Sequence, residues 1–170
     1  GAVIVAAQEL AQDKAGNEEL ETFLPMLPVD GTTVIKREIH ALRKTGITPI
    51  IVVGGYQAAV LKNHISHNGV IFLEDQAYAC HDWLASAEIG MKEAADLCDK
   101  MILLPVECPT FKVETLEMLK ECSQDTCLYY DGQPGKLQVR ISSHFKNNEE
   151  AKDADAEATA DMKAMHEDQN

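Results

Sequence analysis

Short, wholly apolar runs alternating with amphipathic stretches predict an α/β fold, a mostly parallel sheet covered by helices on both faces. Three observations carry this. Ala2 to Ala6, Pro49 to Val53, Val70 to Leu73 and Met101 to Leu104 are apolar without alternation, as strands packed between helices must be. The stretches between them repeat apolar residues at helical spacing. After Cys122 the pattern changes to strands about a turn, which predicts a small antiparallel excursion near the C-terminus.

The elements follow in order. Ala2 to Ala6 is the first strand, and a long polar loop, residues 8 to 23, comes after it. At the carboxyl end of a parallel strand such a loop is where ligands bind, although a disordered excursion has the same composition. Thr32 or Thr33 can cap a helix whose Val34, Ile35, Ile39 and Leu42 share one stripe, with Gly46 at its end. A shorter helix is expected from Gln57 to Asn63. Another is expected over Trp83 to Leu97, with Leu84, Ala87, Met91 and Ala94 inward. The next starts at Lys112 or Val113 and reaches about Cys122, with Val113, Leu116 and either Met118 or Leu119 facing the sheet. Thr126 to Tyr130 and Leu137 to Ile141 read as strands around the turn Asp131-Gly132-Gln133-Pro134-Gly135. From Glu149 onward the chain reads as a helix laid on the body or as a solvated acidic tail. The expected organisation is one α/β domain over 1–148 and an acidic segment over 149–170.

With 170 residues, 45% hydrophobic and 25% charged, the chain has the composition of one globular domain. Its formal charge of −13 argues against a nucleic-acid partner, because phosphate backbones require a basic face, but it leaves room for a mononucleotide. The acidity is uneven: Glu149 to Asn170 carries eight carboxylates against two lysines, a net of −6. No apolar run approaches the roughly 20 residues of a bilayer span, and the apolar start lacks the basic flank of a signal peptide, so no membrane partner is expected. Five cysteines without a CxxC pair fit reduced thiols and a cytoplasmic location. Cys80-His81-Asp82 is the nearest approach to a zinc cluster, and adjacent residues do not easily converge on one ion.

Several segments, read in order, are similar to the motifs of a known family. Val5-Ala6-Ala7-Gln8 is similar to the opening of a strand and loop of the form LAAGxxxRxG. Pro25-Met26-Leu27-Pro28-Val29-Asp30-Gly31-Thr32-Thr33-Val34-Ile35-Lys36-Arg37 is similar to PLLPLGGxTVIER. Ala41 to Ile47 and Ile51 to Tyr56 are similar to a helix and strand ending in VVTGY. Leu103 to Pro109 is similar to LLPVDxP, and Gly132 to Lys136 to a later turn ending in GHP. Over residues 2 to 143 the chain thus resembles the MobA-like NTP transferases, which include the guanylyl- and cytidylyltransferases of molybdenum-cofactor maturation. The resemblance implies a Rossmann-like sheet and attack by an acceptor phosphate on the α-phosphate of an NTP, releasing pyrophosphate. The partners it implies are CTP or GTP and a phosphorylated small-molecule acceptor such as molybdopterin, with Mg²⁺ as cofactor.

That chemistry needs backbone N–H groups close to phosphate, cations on the triphosphate and a metal held by a carboxylate. Carried over by position, the resemblance implies nucleotide binding at Ala6, Ala7, Gln8, Gly16, Gly54 and Ser86. Gln8 stands where the family has its first loop glycine. The family's arginine aligns with Gln12; with a short insertion, Lys14-Ala15-Gly16 overlays RxG instead and makes Lys14 the catalytic cation. The later lysine falls on Leu24, the metal-binding aspartate on Glu107, and the histidine of the turn on Lys136. Plainer readings stand beside these. Ser86 can simply open a helix, Glu107 can be a solvated loop carboxylate, Trp83 and Cys108 can be packing residues, and His64 and His67 can be exposed. The changes at Gln8, Gln12 and Leu24 leave an active nucleotidyltransferase and a catalytically inactive binding or regulatory relative both open. A third reading is a fragment of a larger enzyme whose remainder supplies the missing cations.

Overall fold

The computed structural model describes residues 1–9, 23–107 and 112–167. Strand β1 (Ala2–Ala6) is buried along its whole length. A 3₁₀ turn over Leu24–Met26 leads into a small hairpin of β2 (Pro28–Val29) and β3 (Thr32–Thr33). Helix α1 (Val34–Lys44) follows, and Gly46 stands at its end with a φ of +74°. Its buried residues are the foreseen stripe of Val34, Ile35, Ile39 and Leu42, together with Glu38. Thr33 precedes the helix without a side-chain cap bond, because its Oγ1 lies 2.7 Å from His64 Nε2. That contact leaves His64 half-buried rather than exposed, whereas His67 is exposed as expected.

The alternation continues through β4 (Ile50–Gly54), α2 (Ala58–Ile65), β5 (Ile71–Glu74), α3 (Trp83–Leu97) and β6 (Lys100–Pro105). In α3 the buried stripe opens at Ser86 and Ala87 and runs through Gly90, Met91, Ala94 and Ala95. Leu84 lies before that stripe begins and is 44% exposed, contrary to the inward position its spacing suggests. Helix α4 (Val113–Lys120) buries Leu116 and Leu119, and it is Leu119 rather than Met118 that meets the core. Strands β7 (Thr126–Tyr130) and β8 (Gln133–Ile141) are joined by Asp131-Gly132 alone. Both residues have positive φ, +49° and +74°, the left-handed pair whose twist suits a two-residue hairpin. Gln133, Pro134 and Gly135 therefore belong to β8 rather than to the turn.

The last helix, α5 (Ser142–Glu167), begins ahead of the acidic segment. There Ser142 Oγ donates to the Cys98 carbonyl at 2.5 Å and Phe145 packs on the α3 side of the sheet. Ion pairs Lys146–Asp96, Lys92–Glu149 and Lys152–Glu88 tie its first half to α3. Residues 151–160 are exposed throughout, so what lies on the body is only the start of a rod about 39 Å long.

Among the described residues the main sheet has six strands in the order β5-β4-β1-β6-β8-β7. The first four are parallel; β8 runs antiparallel to β6, and β7 to β8. Ala2, Ile4 and Ala6 pack with Val52 and Leu104 under α1, α2 and α4, while Val3 and Val5 pack with Ile51, Val53 and Leu103 under α3. Burial on both faces is why these runs are apolar without alternation. From β1 the chain places β4 and β5 on one side, then returns to place β6 on the other. The order reverses between β1 and β6, and sheets of this kind take ligands outside the carboxyl ends of the strands at that point. No described helix is long and apolar enough to cross a membrane.

Candidate functional site

Backbone bonds knit the carboxyl ends of the parallel strands. Val106 N donates to Val5 O at 3.3 Å, Tyr56 N to Ala7 O at 2.8 Å, and Asp75 N to Gly54 O at 2.7 Å. Ala6 and Ala7 are buried there, and Gly54 ends β4 beside them.

From this floor the Gln8 side chain turns toward the start of α3. Its Nε2 donates to Ser86 Oγ at 2.5 Å and to the Asp82 carbonyl at 3.2 Å. Ser86 Oγ donates onward to Asp75 Oδ2 at 2.7 Å, and His81 Nδ1 lies 2.8 Å from the same oxygen. The other Asp75 oxygen accepts from Ala77 N at 3.0 Å. Burial by itself would raise the Asp75 pKa. The hydrogen bonds from Ser86, His81 and Ala77, with the charge of His81, outweigh it and hold the carboxyl below its ordinary value. An ionised carboxylate only accepts, so His81 Nδ1 carries the proton and Nε2 is left outside the network.

Because its folded pKa is depressed, Asp75 contributes stability that is complete above the usual carboxylate pKa of about 3.8 and is lost as pH falls through the lower folded value. Asp75→Asn is expected to cost about 2 kcal/mol at pH 7, since an amide has one accepting oxygen and cannot serve both Ala77 N on one side and Ser86 and His81 on the other. The same change is expected to flatten the acid limb of stability against pH, as read by urea unfolding at pH 7 and pH 3. An unchanged acid limb would mean that Asp75 is not the linked group.

On the other side of the mouth Glu107, just past the end of β6, pairs with Lys136 Nζ of β8 at 2.7 Å. The same ammonium lies 5.6 Å from the ring centroid of Trp83, the first residue of α3, within cation–π range. Glu38 is fully buried on α1, and among the described residues neither of its carboxyl oxygens has a hydrogen-bond partner. Burial, helped by the charge of Glu107, pushes its pKa well above the ordinary value.

Mg²⁺ in nucleotide sites is commonly held by one or two carboxylates, with substrate phosphates and water completing its shell. Glu107 offers one such carboxylate, while among the described residues no group of three or more His, Cys, Asp or Glu side chains gathers to hold a metal ion. The donor set therefore fits an ion that arrives with its nucleotide, and that ion would share Glu107 with Lys136.

The structure brings Ala6, Ala7, Gln8, Gly54 and Ser86 together at the ends of β1, β4 and α3, with Glu107 across the crevice. Lys14 and Gly16 lie outside the described residues, as do Gln12 and Cys108. Leu24, at the position of the family's later lysine, is buried in the core with α1. Trp83 packs against the α3 cluster, as its plainer reading has it, while also meeting Lys136. Sequence reasoning missed Asp75, and weighed His81 only within the Cys80-His81-Asp82 run and not as a partner of Asp75. The available signal was the acidic pair Glu74-Asp75 closing an apolar run, at the carboxyl end of a parallel strand.

Strand order and covered faces define a doubly wound α/β domain with a polar cluster at its switch point. A model of the MobA-like NTP transferase domain matches residues 23–164, and the chain belongs to that family. Among solved structures it is similar to a nucleotidyl transferase from Methanothermobacter thermautotroptrophicus, at 20% identity over 86% of this chain and 73% of that one, with a TM-score of 0.68. It is also similar to a Mycobacterium tuberculosis protein in complex with manganese, at 16% identity over 86% of this chain and 72% of that one (TM-score 0.62). A third is the CTP:phosphocholine cytidylyltransferase of Streptococcus pneumoniae, at 16% identity over 82% and 67% (TM-score 0.52). At these identities the likeness is one of fold. No curated protein sequence matches the chain.

Proposed function

We propose that the protein is a cytoplasmic nucleotidyltransferase that moves a nucleoside monophosphate from CTP or GTP to a phosphorylated small-molecule acceptor such as molybdopterin. The observation that carries this reading is the grouping at the β1/β6 switch point, where Gln8 bonds to Ser86 and Asp82 at the start of α3 and the Glu107–Lys136 pair meets Trp83 of the same helix. An acceptor phosphate oxygen bonds to the α-phosphorus, the bond to the β-phosphate breaks, and pyrophosphate leaves. The work asked of the protein is alignment and charge neutralisation rather than acid–base chemistry.

In this reading residues 1–148 form the working body and 149–170 an appended acidic segment. Ala6, Ala7, Gly16 and Gly54 offer backbone to the nucleotide, Gln8 and Ser86 offer polar side-chain contact, and Lys14 supplies a cation to the triphosphate. Glu107 would hold the Mg²⁺ that enters with the nucleotide; when bound, the ion neutralises phosphate charge. Calorimetric titration with CTP and GTP in the presence of Mg²⁺ is expected to give saturable heat. No heat at millimolar nucleotide would end this reading.

A second reading, a catalytically inactive relative acting as a binding or regulatory module, draws on two placements. Leu24 sits in the core where the family has a lysine, and the Gln8 amide is committed to α3. It predicts weak or absent nucleotide binding and no pyrophosphate release with any acceptor offered, and a measured turnover would dispose of it.

A further inference from the structure

Lys136 reaches the mouth because of strand register. Leu103 of β6 opposes Gln138 of β8, so continuing up the antiparallel pair sets position 136 beside Pro105, at the carboxyl end of β6. The β7–β8 hairpin thus carries a lysine from the far side of the sheet to the crevice between β1 and β6. There its ammonium rests between the Glu107 carboxylate and the face of Trp83 while half of the side chain stays exposed. Among the described residues it is the lysine or arginine whose contacts reach the residues around this mouth.

The surroundings make a cation there consequential. The chain carries a net −13, and the positions that would hold family cations or close-approach glycine at Gln8 and Leu24 are a neutral amide and a core hydrocarbon. A triphosphate entering this mouth would meet Glu107 as a like charge. The partner that compensates Glu107 is an exposed ammonium on a flexible four-carbon stem, with donors to spare.

We infer that Lys136 is a nucleotide-phosphate ligand, parked on Glu107 and Trp83 in the free protein and turning to the triphosphate when it binds, with no divalent ion needed for that contact. This rests on the nucleotidyltransferase reading above and deepens it by assigning the cation.

The test is calorimetric titration of the full chain with CTP and with GTP in EDTA, across wild type, Glu107→Gln, Lys136→Met and the double variant. Circular dichroism and thermal melts check that each is folded. Lys136→Met is expected to bind about tenfold more weakly, the scale of one charge-assisted hydrogen bond. Glu107→Gln is expected to bind as tightly as wild type or tighter, because it frees the ammonium, and the double variant to stay as weak as Lys136→Met.

Recovery of wild-type affinity in the double variant would show that Lys136 only neutralises Glu107, and would overturn the inference. Lys136→Met binding like wild type would do the same. If the wild type gives no heat in EDTA but does so with Mg²⁺, the inference falls and the nucleotidyltransferase reading stands. If it gives none under either condition, both fall.

Discussion

Gly90→Val is expected to destabilise the protein by about 3 kcal/mol or more, the upper end of what overpacking costs in a tight core. Gly90 lies at the centre of the α3 stripe that packs on β1 and β4. A Cβ built there would sit 2.4 Å from Val3 Cγ1 and 2.9 Å from Val53 Cγ2, in the middle of the two most buried strands. Neither valine can swing away, because each is β-branched and fully buried between its strand and α3.

Alanine makes the competition between effects visible. Helix propensity favours alanine over glycine by about 1 kcal/mol, whereas the clash costs roughly 1–3 kcal/mol, so Gly90→Ala is expected to be mildly destabilising rather than stabilising. For a chain of this size each kcal/mol lowers the melting midpoint by roughly 2–4 °C. Gly90→Val should therefore melt at least 6 °C or so below wild type, with Gly90→Ala in between. A wild-type midpoint for the valine variant would mean that α3 stands farther from the sheet than these distances allow.

The same packing explains what the sequence made legible. Strands covered on both faces must be apolar throughout, so β1, β4, β5 and β6 were marked by composition alone, and the α1 stripe by its spacing. The C-terminal hairpin was harder. A proline inside a strand ordinarily argues against the strand, but Pro134 pairs opposite Tyr129, at a register shift between Cys127 and Tyr129 where a missing N–H is tolerated. Local chemistry therefore favoured a long turn, and tertiary pairing shortened it to Asp131-Gly132.

The site divides along the same line. Gln8, Ser86 and Glu107 stand within segments whose order follows the family, and the structure brings them to one end of the sheet. The Asp75–His81–Ser86 network has no spacing signature, since it depends on how the segment after β5 folds back onto α3. The Glu107–Lys136 pair is written in neither neighbourhood. It exists because β8 returns antiparallel to β6 in one particular register, and a one-residue slip would send Lys136 to the other face of the sheet.

Glu38 was hidden for the opposite reason: a charged residue on a helix is presumed to face water, yet this one completes a buried stripe. Replacing it should stabilise the protein. Its folded pKa lies well above the ordinary value of about 4.5, chiefly through burial and secondarily through the charge of Glu107. A raised carboxyl pKa means that the folded state holds the proton more tightly than the unfolded one. Stability is then complete below the unfolded pKa and is lost as pH rises toward the folded pKa.

Glu38→Leu removes both that pH-linked loss and the burial of two carboxyl oxygens without hydrogen bonds. The expected gain is about 1–3 kcal/mol at pH 8, shrinking as the pH is lowered toward 4.5. Glu38→Gln separates the two contributions, because the amide cannot ionise but is still buried and polar. It should lose the pH dependence while gaining less stability than leucine. Urea unfolding at pH 5 and pH 8 reads both effects, and a leucine variant weaker than wild type at pH 8 would mean that the carboxylate is ionised and held by a partner after all. The site also gives the experiment a functional side. Lys136 contacts Glu107 and Trp83 rather than Glu38, so replacing Glu38 should leave nucleotide affinity close to wild type while the melting midpoint rises.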